Sequence, residues 1–446
     1  MKGSRCVGWI VGFLIAAAAV AQEPPSGQDL ADRIDAYVRP FTAAGQLSGT
    51  LLVARDGVVL YEKSFGMANY ELGVPNTPAT RFNVASVSKP MTAIIAHRYI
   101  ERGKLAATDK LSKWIPDFPR ADEITIDHLL RHRSGIPHRV VSDDEQTAPR
   151  TAAEMVEFAK RKGLTFAPGS QRLYSSGGYA VLARVLEIVG GRTFGQLLEE
   201  IVFAPAGAVH SLHPGPRRLI PGRAVSHFAG PDRPVLAPLK DLSFLVGGGS
   251  VYSTPRDLLA IQRALLAGVY GEPARKEIAS GPLTWDGLTN GYRAFADYHP
   301  AQKLTVIFTG NLFTAAPEGI RESLPKIAAG EAVPPAEAPR IEPFVVPAAL
   351  RQRYEGFYET GPGVLDEVRF APEGNLVFIG EWVLIPTSEN TFFSPQDDAK
   401  VKVVVGKDGT AEALEWESTR GSVKFPRVKP PARGTSAGTS QSGNPQ

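Results

Sequence analysis

Between residues 27 and 44 the apolar positions recur at helical spacing, and two β-like runs follow, Gly49 to Ala54 and Val58 to Phe65. Arg55-Asp56-Gly57 separates them, and Asp-Gly between two such runs predicts a hairpin. Helical patterns dominate from about 90 to 104, 150 to 161 and 179 to 190, and a strand-like run, Leu-Thr-Val-Ile-Phe-Thr, returns at 304–309. An early hairpin, a helical middle and late strands predict an antiparallel sheet assembled from both ends of one domain, with helices packed on it.

From 328 to 348 the chain turns to Ala, Pro, Gly and Glu, which is linker chemistry. From 353 to 428 short strand patterns alternate with turns at Gly361-Pro362-Gly363, Pro372-Glu373-Gly374-Asn375 and Lys407-Asp408-Gly409. This predicts a small antiparallel β-barrel or sandwich. The expected fold class is therefore α+β, with a catalytic unit over 22–330, a Pro-rich linker over 331–350 and a β-domain over 351–429. The Ser/Gly/Thr/Pro-rich end, 430–446, reads as disordered.

The start changes the picture of where the chain works. Met-Lys-Gly-Ser-Arg, an apolar stretch from Val7 to Val20 and Ala19-Val20-Ala21 before a polar Gln22 read as a secretory signal peptide over 1–21. The rival, an uncleaved anchor, is disfavoured because the run falls short of the ~20 residues a spanning helix needs. Removal of 21 residues from 446 leaves 425, too long for one ordinary core, which agrees with two folded units. The single cysteine, Cys6, lies in the expected leader, so the mature chain would hold neither disulfides nor a Cys-based nucleophile or metal site. With 49 Lys and Arg against 46 Asp and Glu, and no long basic run interleaved with aromatics, charge gives no reason to expect a nucleic-acid partner.

Candidate chemistry concentrates at Arg81-Phe-Asn-Val-Ala-Ser86-Val-Ser-Lys89-Pro-Met-Thr-Ala93. At a spacing of three, Ser86 and Lys89 share a helix face, so the lysine can reach the serine hydroxyl. Pro90 places the pair near a helix start, where a missing N–H costs little. Backbone N–H groups at that end suit a developing oxyanion. A bare Ser-x-x-Lys is a weak signal, and Ser323-Leu-Pro-Lys326 also fits it. That second match carries an internal proline and no supporting motifs, and reads as chance.

Around Ser86 the context is specific. Gly66-Met-Ala-Asn-Tyr-Glu, Thr80-Arg-Phe, Gly103-Lys-Leu, His128-Leu-Leu-Arg-His-Arg-Ser-Gly-Ile-Pro137, Phe166-Ala-Pro-Gly169 and Gly247-Gly-Gly-Ser-Val-Tyr-Ser-Thr-Pro-Arg-Asp-Leu258 stand in order along the chain. Together with Ser86-Val-Ser-Lys89, over about residues 30–313, they resemble the serine β-lactamase and penicillin-binding-protein superfamily. Within it the likeness is to the branch of class C β-lactamases, related esterases and D-aminopeptidases. The resemblance implies a sheet flanked by helices with a helical subdomain, and acyl-enzyme chemistry on Ser86 with Lys89 assisting.

It also implies further residues. Tyr174-Ser175-Ser176 stands where the family has Tyr-x-Asn, which makes Tyr174 the candidate general base and Ser176 a departure from the substrate-binding Asn. The third motif, Lys-Thr-Gly or His-x-Gly on a strand, aligns with Trp285-Asp286-Gly287-Leu288. Trp285 replaces the cation that would bind a substrate carboxylate, and Asp286 would repel an anion if it faced the cleft. Leu288 would offer the second oxyanion N–H beside that of Ser86. The expected substrate-binding set is thus Ser176, Trp285, Asp286, Gly287 and Leu288.

Two other patterns invite sharper readings. His128, His132 and His138 near Asp122 and Glu123 have partial metal-site spacing, but they lack a His-Glu-x-x-His core, and His132 matches a landmark of the family segment. Gly247-Gly-Gly-Ser250 lacks the lysine of a phosphate loop and fits a tight turn beside the cleft. The sequence therefore predicts an exported serine hydrolase, secreted or periplasmic, cleaving an ester or amide of a small-molecule or peptide substrate without cofactor or metal. The missing cation at Trp285 favours neutral substrates over β-lactams. A degraded scaffold serving binding or regulation is the alternative, motivated by Ser176 and Trp285.

Overall fold

The computed structural model describes residues 27–142, 144–215, 218–361, 364–419 and 421–430. The expected signal peptide, 1–21, and the expected tail beyond 430 lie outside the described residues.

The early hairpin is β1 (Gly49–Arg55) and β2 (Val58–Phe65), preceded by α1 (Gly27–Ala43). The middle holds the principal helices α2 (Ser88–Glu101), α3 (Ala152–Lys162), α4 (Ser176–Gly190) and α5 (Pro255–Leu266). Then come β3 (Leu283–Thr289), β4 (Tyr292–His299), β5 (Leu304–Gly310) and α6 (Ala316–Ala328). The five strands form one antiparallel sheet in the order β2-β1-β5-β4-β3, so N- and C-terminal strands meet at the β1–β5 seam, Leu52 opposite Ile307. The expected α+β architecture is the one observed.

Alternation along the strands explains the two cores. Leu51 and Val53 point to one face with Phe295 and Phe308, packed on Ile34 of α1 and Ile320 of α6. Leu52, Ala54, Ala296 and Ile307 point to the other, packed with Met91 of α2 and Ile261 of α5. Because both faces are covered, central strands are apolar almost throughout. Side-chain caps fix helix starts: Thr151 Oγ1 accepts the Glu154 N–H at α3, and Ser175 Oγ accepts the Gly178 N–H at α4.

Beyond α6, residues 331–346 carry neither helix nor strand yet are tied down at their middle and their far end. Pro339 O accepts from Gln46 Nε2, and Val346 is fully buried in the core of the second unit. That unit is a closed eight-stranded antiparallel barrel: β6 (Gly356–Gly361), β7 (Val364–Phe370), β8 (Val377–Ile379), β9 (Trp382–Pro386), β10 (Thr391–Ser394), β11 (Ala399–Val405), β12 (Ala411–Ser418) and β13 (Gly421–Val428). Eight strands enclose just enough room for side chains, and Tyr358, Val377, Phe392, Val401 and Leu414 fill it. The barrel also rests on the first unit, Trp382 packing on Phe313 with ring centroids 5.6 Å apart and Ala315 N donating to Pro395 O at 2.8 Å.

Candidate active site

Ser86 sits in a 3-10 turn, Ala85–Val87, that leads directly into α2. The turn is held open from behind. Ala85 adopts φ +46°, a region that costs a non-glycine residue about 1–2 kcal/mol, and buried Asn83 supports it by accepting the Ala85 N–H on Oδ1 at 2.8 Å. Pro90 lies in the first turn of α2, where its missing N–H breaks no intrahelical bond.

Lys89 is 5% exposed and reaches three oxygens: Ser86 Oγ at 3.0 Å, Ser176 Oγ at 3.1 Å and Gly248 O at 2.9 Å. Three acceptors match the three N–H bonds of an ammonium. Among the described residues no carboxylate pairs with it. Its remaining neighbours are π faces, Tyr174 with the ring centroid at 4.6 Å and Tyr179 at 5.6 Å.

The glycine-rich turn presents the third oxygen. Thr92 Oγ1 donates to Gly247 O at 2.6 Å, and Val251 N donates to Ser88 Oγ at 3.2 Å, so the turn is laced to the start of α2. Gly247 has φ +76°, and a Cβ there would stand 2.3 Å from Tyr179 O. Glycine is required by both conformation and clearance.

Tyr174 and Ser176 come from the segment entering α4, and two histidines hold that segment by its backbone. His132 Nδ1 accepts the Ser175 N–H at 3.1 Å, and His138 Nδ1 accepts the Ser176 N–H at 3.4 Å. Both roles need an unprotonated nitrogen. Burial first, and then the charge of Lys89, pushes each imidazole down to about 3, so the two are neutral at pH 7. Their rings flank Tyr174, at centroid distances of 4.6 Å for His132 and 5.3 Å for His138. Tyr174 itself is 43% exposed, and its ring rather than its hydroxyl contacts Lys89. His128, the third of the cluster, accepts the Thr125 N–H on Nδ1 and caps a short helix instead.

The opposite wall is β3, the edge strand of the sheet. Trp285 is 6% exposed and points to the α2 side, where it joins the larger core and lines the cleft. Asp286, one residue on, points to the other face, where Arg293 Nη1 at 2.6 Å and Arg321 Nη1 at 2.7 Å hold its Oδ1. Gly287 passes Ser86 closely: a Cβ on it would lie 2.3 Å from Val84 O and 3.0 Å from Ser86 N. Leu288 follows, half-buried against the barrel.

The structure thus brings Ser86, Lys89, Tyr174, Ser176, Trp285 and Gly287 around one cleft of about 1310 Å³ and engages Asp286 with arginines across the strand. Sequence reasoning passed over Asn83, the Gly248 carbonyl, the backbone-holding roles of His132 and His138, and Glu381, which reaches the same cleft from the barrel. The His-rich segment and the glycine-rich turn left visible signals. The other Ser-x-x-Lys pair lies elsewhere: Ser323 Oγ donates to Tyr37 Oη at 2.7 Å, between α6 and α1.

Comparison with known proteins agrees with this geometry. The Beta-lactamase family model matches residues 34–324. The chain is 26% identical over 428 residues to penicillin-binding protein 4* of Bacillus subtilis (strain 168), covering 83% of this chain and 93% of that one. It is 32% identical over 197 residues to esterase EstB of Burkholderia gladioli, 40% of this chain and 50% of that protein. The D-amino acid amidase of Ochrobactrum anthropi SV3, crystallised with L-phenylalanine amide, superposes with a TM-score of 0.59 at 20% identity, over 67% of this chain and 97% of that one.

Proposed function

This chain belongs to the Beta-lactamase family and is a serine hydrolase of that family, and from that premise we propose that it cleaves a neutral ester or amide through an acyl-enzyme on Ser86. Ser86 Oγ attacks the carbonyl carbon, and its proton passes to the Lys89–Tyr174 pair. The N–H groups of Ser86 and Leu288 hold the oxyanion. The C–O or C–N bond then breaks, the leaving group takes the proton, and water repeats the cycle on the acyl-enzyme to release the acid. The observation that carries this reading is the 3.0 Å contact between Lys89 Nζ and Ser86 Oγ beside a strand too close to admit a side chain at position 287.

The substrate preference rests on β3. Trp285 offers no charge to a carboxylate, and Asp286 is already paired, so a carboxylate entering on this side would be desolvated without a partner from the motif. The chain is read as a hydrolase unit over 22–330 and a barrel unit over 351–429 joined through 331–350. It is read as exported, after loss of residues 1–21. No helix among the described residues is long and apolar enough to cross a membrane. A fluorophosphonate probe tests the proposal: wild-type protein labels on Ser86 and Ser86→Ala does not. Absence of labelling, with binding of small acyl compounds retained, would favour the degraded-scaffold alternative.

A further inference from the structure

The barrel meets the hydrolase unit at the active site. Hairpin β8–β9 packs Phe378, Trp382 and Val383 into an apolar cluster with Phe228, Phe313 and Leu288 of the first unit. Leu288 follows Gly287, the residue that passes Ser86 closely. At the turn between the two strands stands Glu381, which lines the cleft. Its Oε1 lies 3.4 Å from Lys240 Nζ and 3.5 Å from Arg139 Nη2, both on loops of the hydrolase unit. Burial alone would raise its pKa, but Arg139 and Lys240 outweigh burial and hold the carboxyl below its ordinary value. The contact leads inward. Arg139 follows His138, whose ring stacks on Tyr174 and whose Nδ1 accepts the Ser176 N–H.

We propose that Glu381, on the β8–β9 turn, is a positioning residue, acting through Arg139 and His138 on Ser176. This rests on the hydrolase reading above and gives the second unit a task in the same reaction. Three features favour it over a merely adjacent domain. The charged contact lies at the cleft rather than on the outer surface. The apolar contact involves the strand next to the nucleophile. The barrel's interior is filled, so its outside is the face available for work. A carboxylate that contacts both cations ties the two loops to the barrel hairpin.

The test uses the full chain and a short-chain nitrophenyl ester. Glu381→Gln keeps the shape and removes the charge. It is expected to lower kcat/KM about tenfold, chiefly by raising KM, while the rate at which a small fluorophosphonate labels Ser86 falls far less. Arg139→Met should produce a similar loss, and the double variant Glu381→Gln, Arg139→Met should be no worse than either alone, as residues acting in series require. Glu415→Gln, in an exposed pair with Lys424 elsewhere on the barrel, is the control and should change nothing. If Glu381→Gln proves too unstable to assay, Lys240→Met carries the test with a threefold rise in KM as the threshold. Unchanged KM in folded variants, or strictly additive losses in the double variant, overturns the proposal. Failure of wild-type Ser86 to label would instead sink the hydrolase reading.

Discussion

Two segments of this chain spell Ser-x-x-Lys, and their surroundings differ in burial and backbone geometry. At 86–89 the serine stands on a 3-10 turn with a left-handed residue before it, and the lysine is buried among three oxygens. At 323–326 the serine lies within α6 and bonds a tyrosine hydroxyl, while Lys326 is exposed in the last turn. Spacing alone puts both pairs on a helix face. What differs is the desolvation of the amine and the backbone held open for an attacking oxygen, and neither is encoded in the four letters.

The largest effect that would break this contrast is loss of the wrong nucleophile. Ser86→Ala should lower kcat for a nitrophenyl ester by about 10³-fold or more, while Ser323→Ala leaves it within twofold. Equal losses would mean that the two serines had been misjudged. Lys89→Met is next, with an expected fall of about 10²–10⁴-fold in the labelling rate of Ser86; Lys326→Met should have no measurable effect on that rate.

Acid sharpens the comparison, because only the first site is built on neutral imidazoles. His132 sits near 3 in the folded protein against an ordinary 6.5, so the unfolded chain binds the extra proton in between. Its contribution is complete above pH 6.5 and declines as pH falls toward 3, by at most on the order of 4 kcal/mol. Urea midpoints measured at pH 7 and pH 4 should differ less in His132→Gln than in wild type. An identical acid loss in both would remove His132 from the account.

A smaller effect concerns specificity. Trp285→His should improve kcat/KM toward a chromogenic cephalosporin about tenfold relative to the nitrophenyl ester, by placing a hydrogen-bond donor for its carboxylate on the cleft side of β3. A wild type that already prefers the cephalosporin would show that the reading of Trp285 is mistaken. Smallest is the stability of Ser323→Ala, which loses one half-buried hydrogen bond and should fall by about 1 kcal/mol.

Much of this was legible in advance because it depends on local pattern. The hairpin at Asp56-Gly57, the helix opened by Pro90 and the strand at 304–309 follow from turn chemistry and periodicity, and the turns at 372–375 and 407–409 announced an antiparallel unit. The direction of Trp285 and Asp286 was a matter of strand alternation, but which face met Ser86 depended on where α2 packed. Asn83, the contact of the Gly248 carbonyl with Lys89, and Glu381 were invisible for the same reason. Their roles arise from contacts across long stretches of chain, and Glu381 from another folded unit, where no period or spacing connects the partners. His132 and His138 left a signal that invited a metal reading; their acceptor nitrogens hold a backbone segment instead.

The clearance at Gly287 sets a rule for how such an enzyme can change its diet. Two positions earlier on the same strand, residue 285 can be rewritten to read a new substrate, since it displays a side chain toward the cleft. At 287 even a methyl group would meet Val84 O at 2.3 Å and push the strand away from Ser86. A saturation library across 283–289, selected first for any turnover and then for a chosen ester, should therefore return a varied residue at 285 in the second round and glycine alone at 287 in the first.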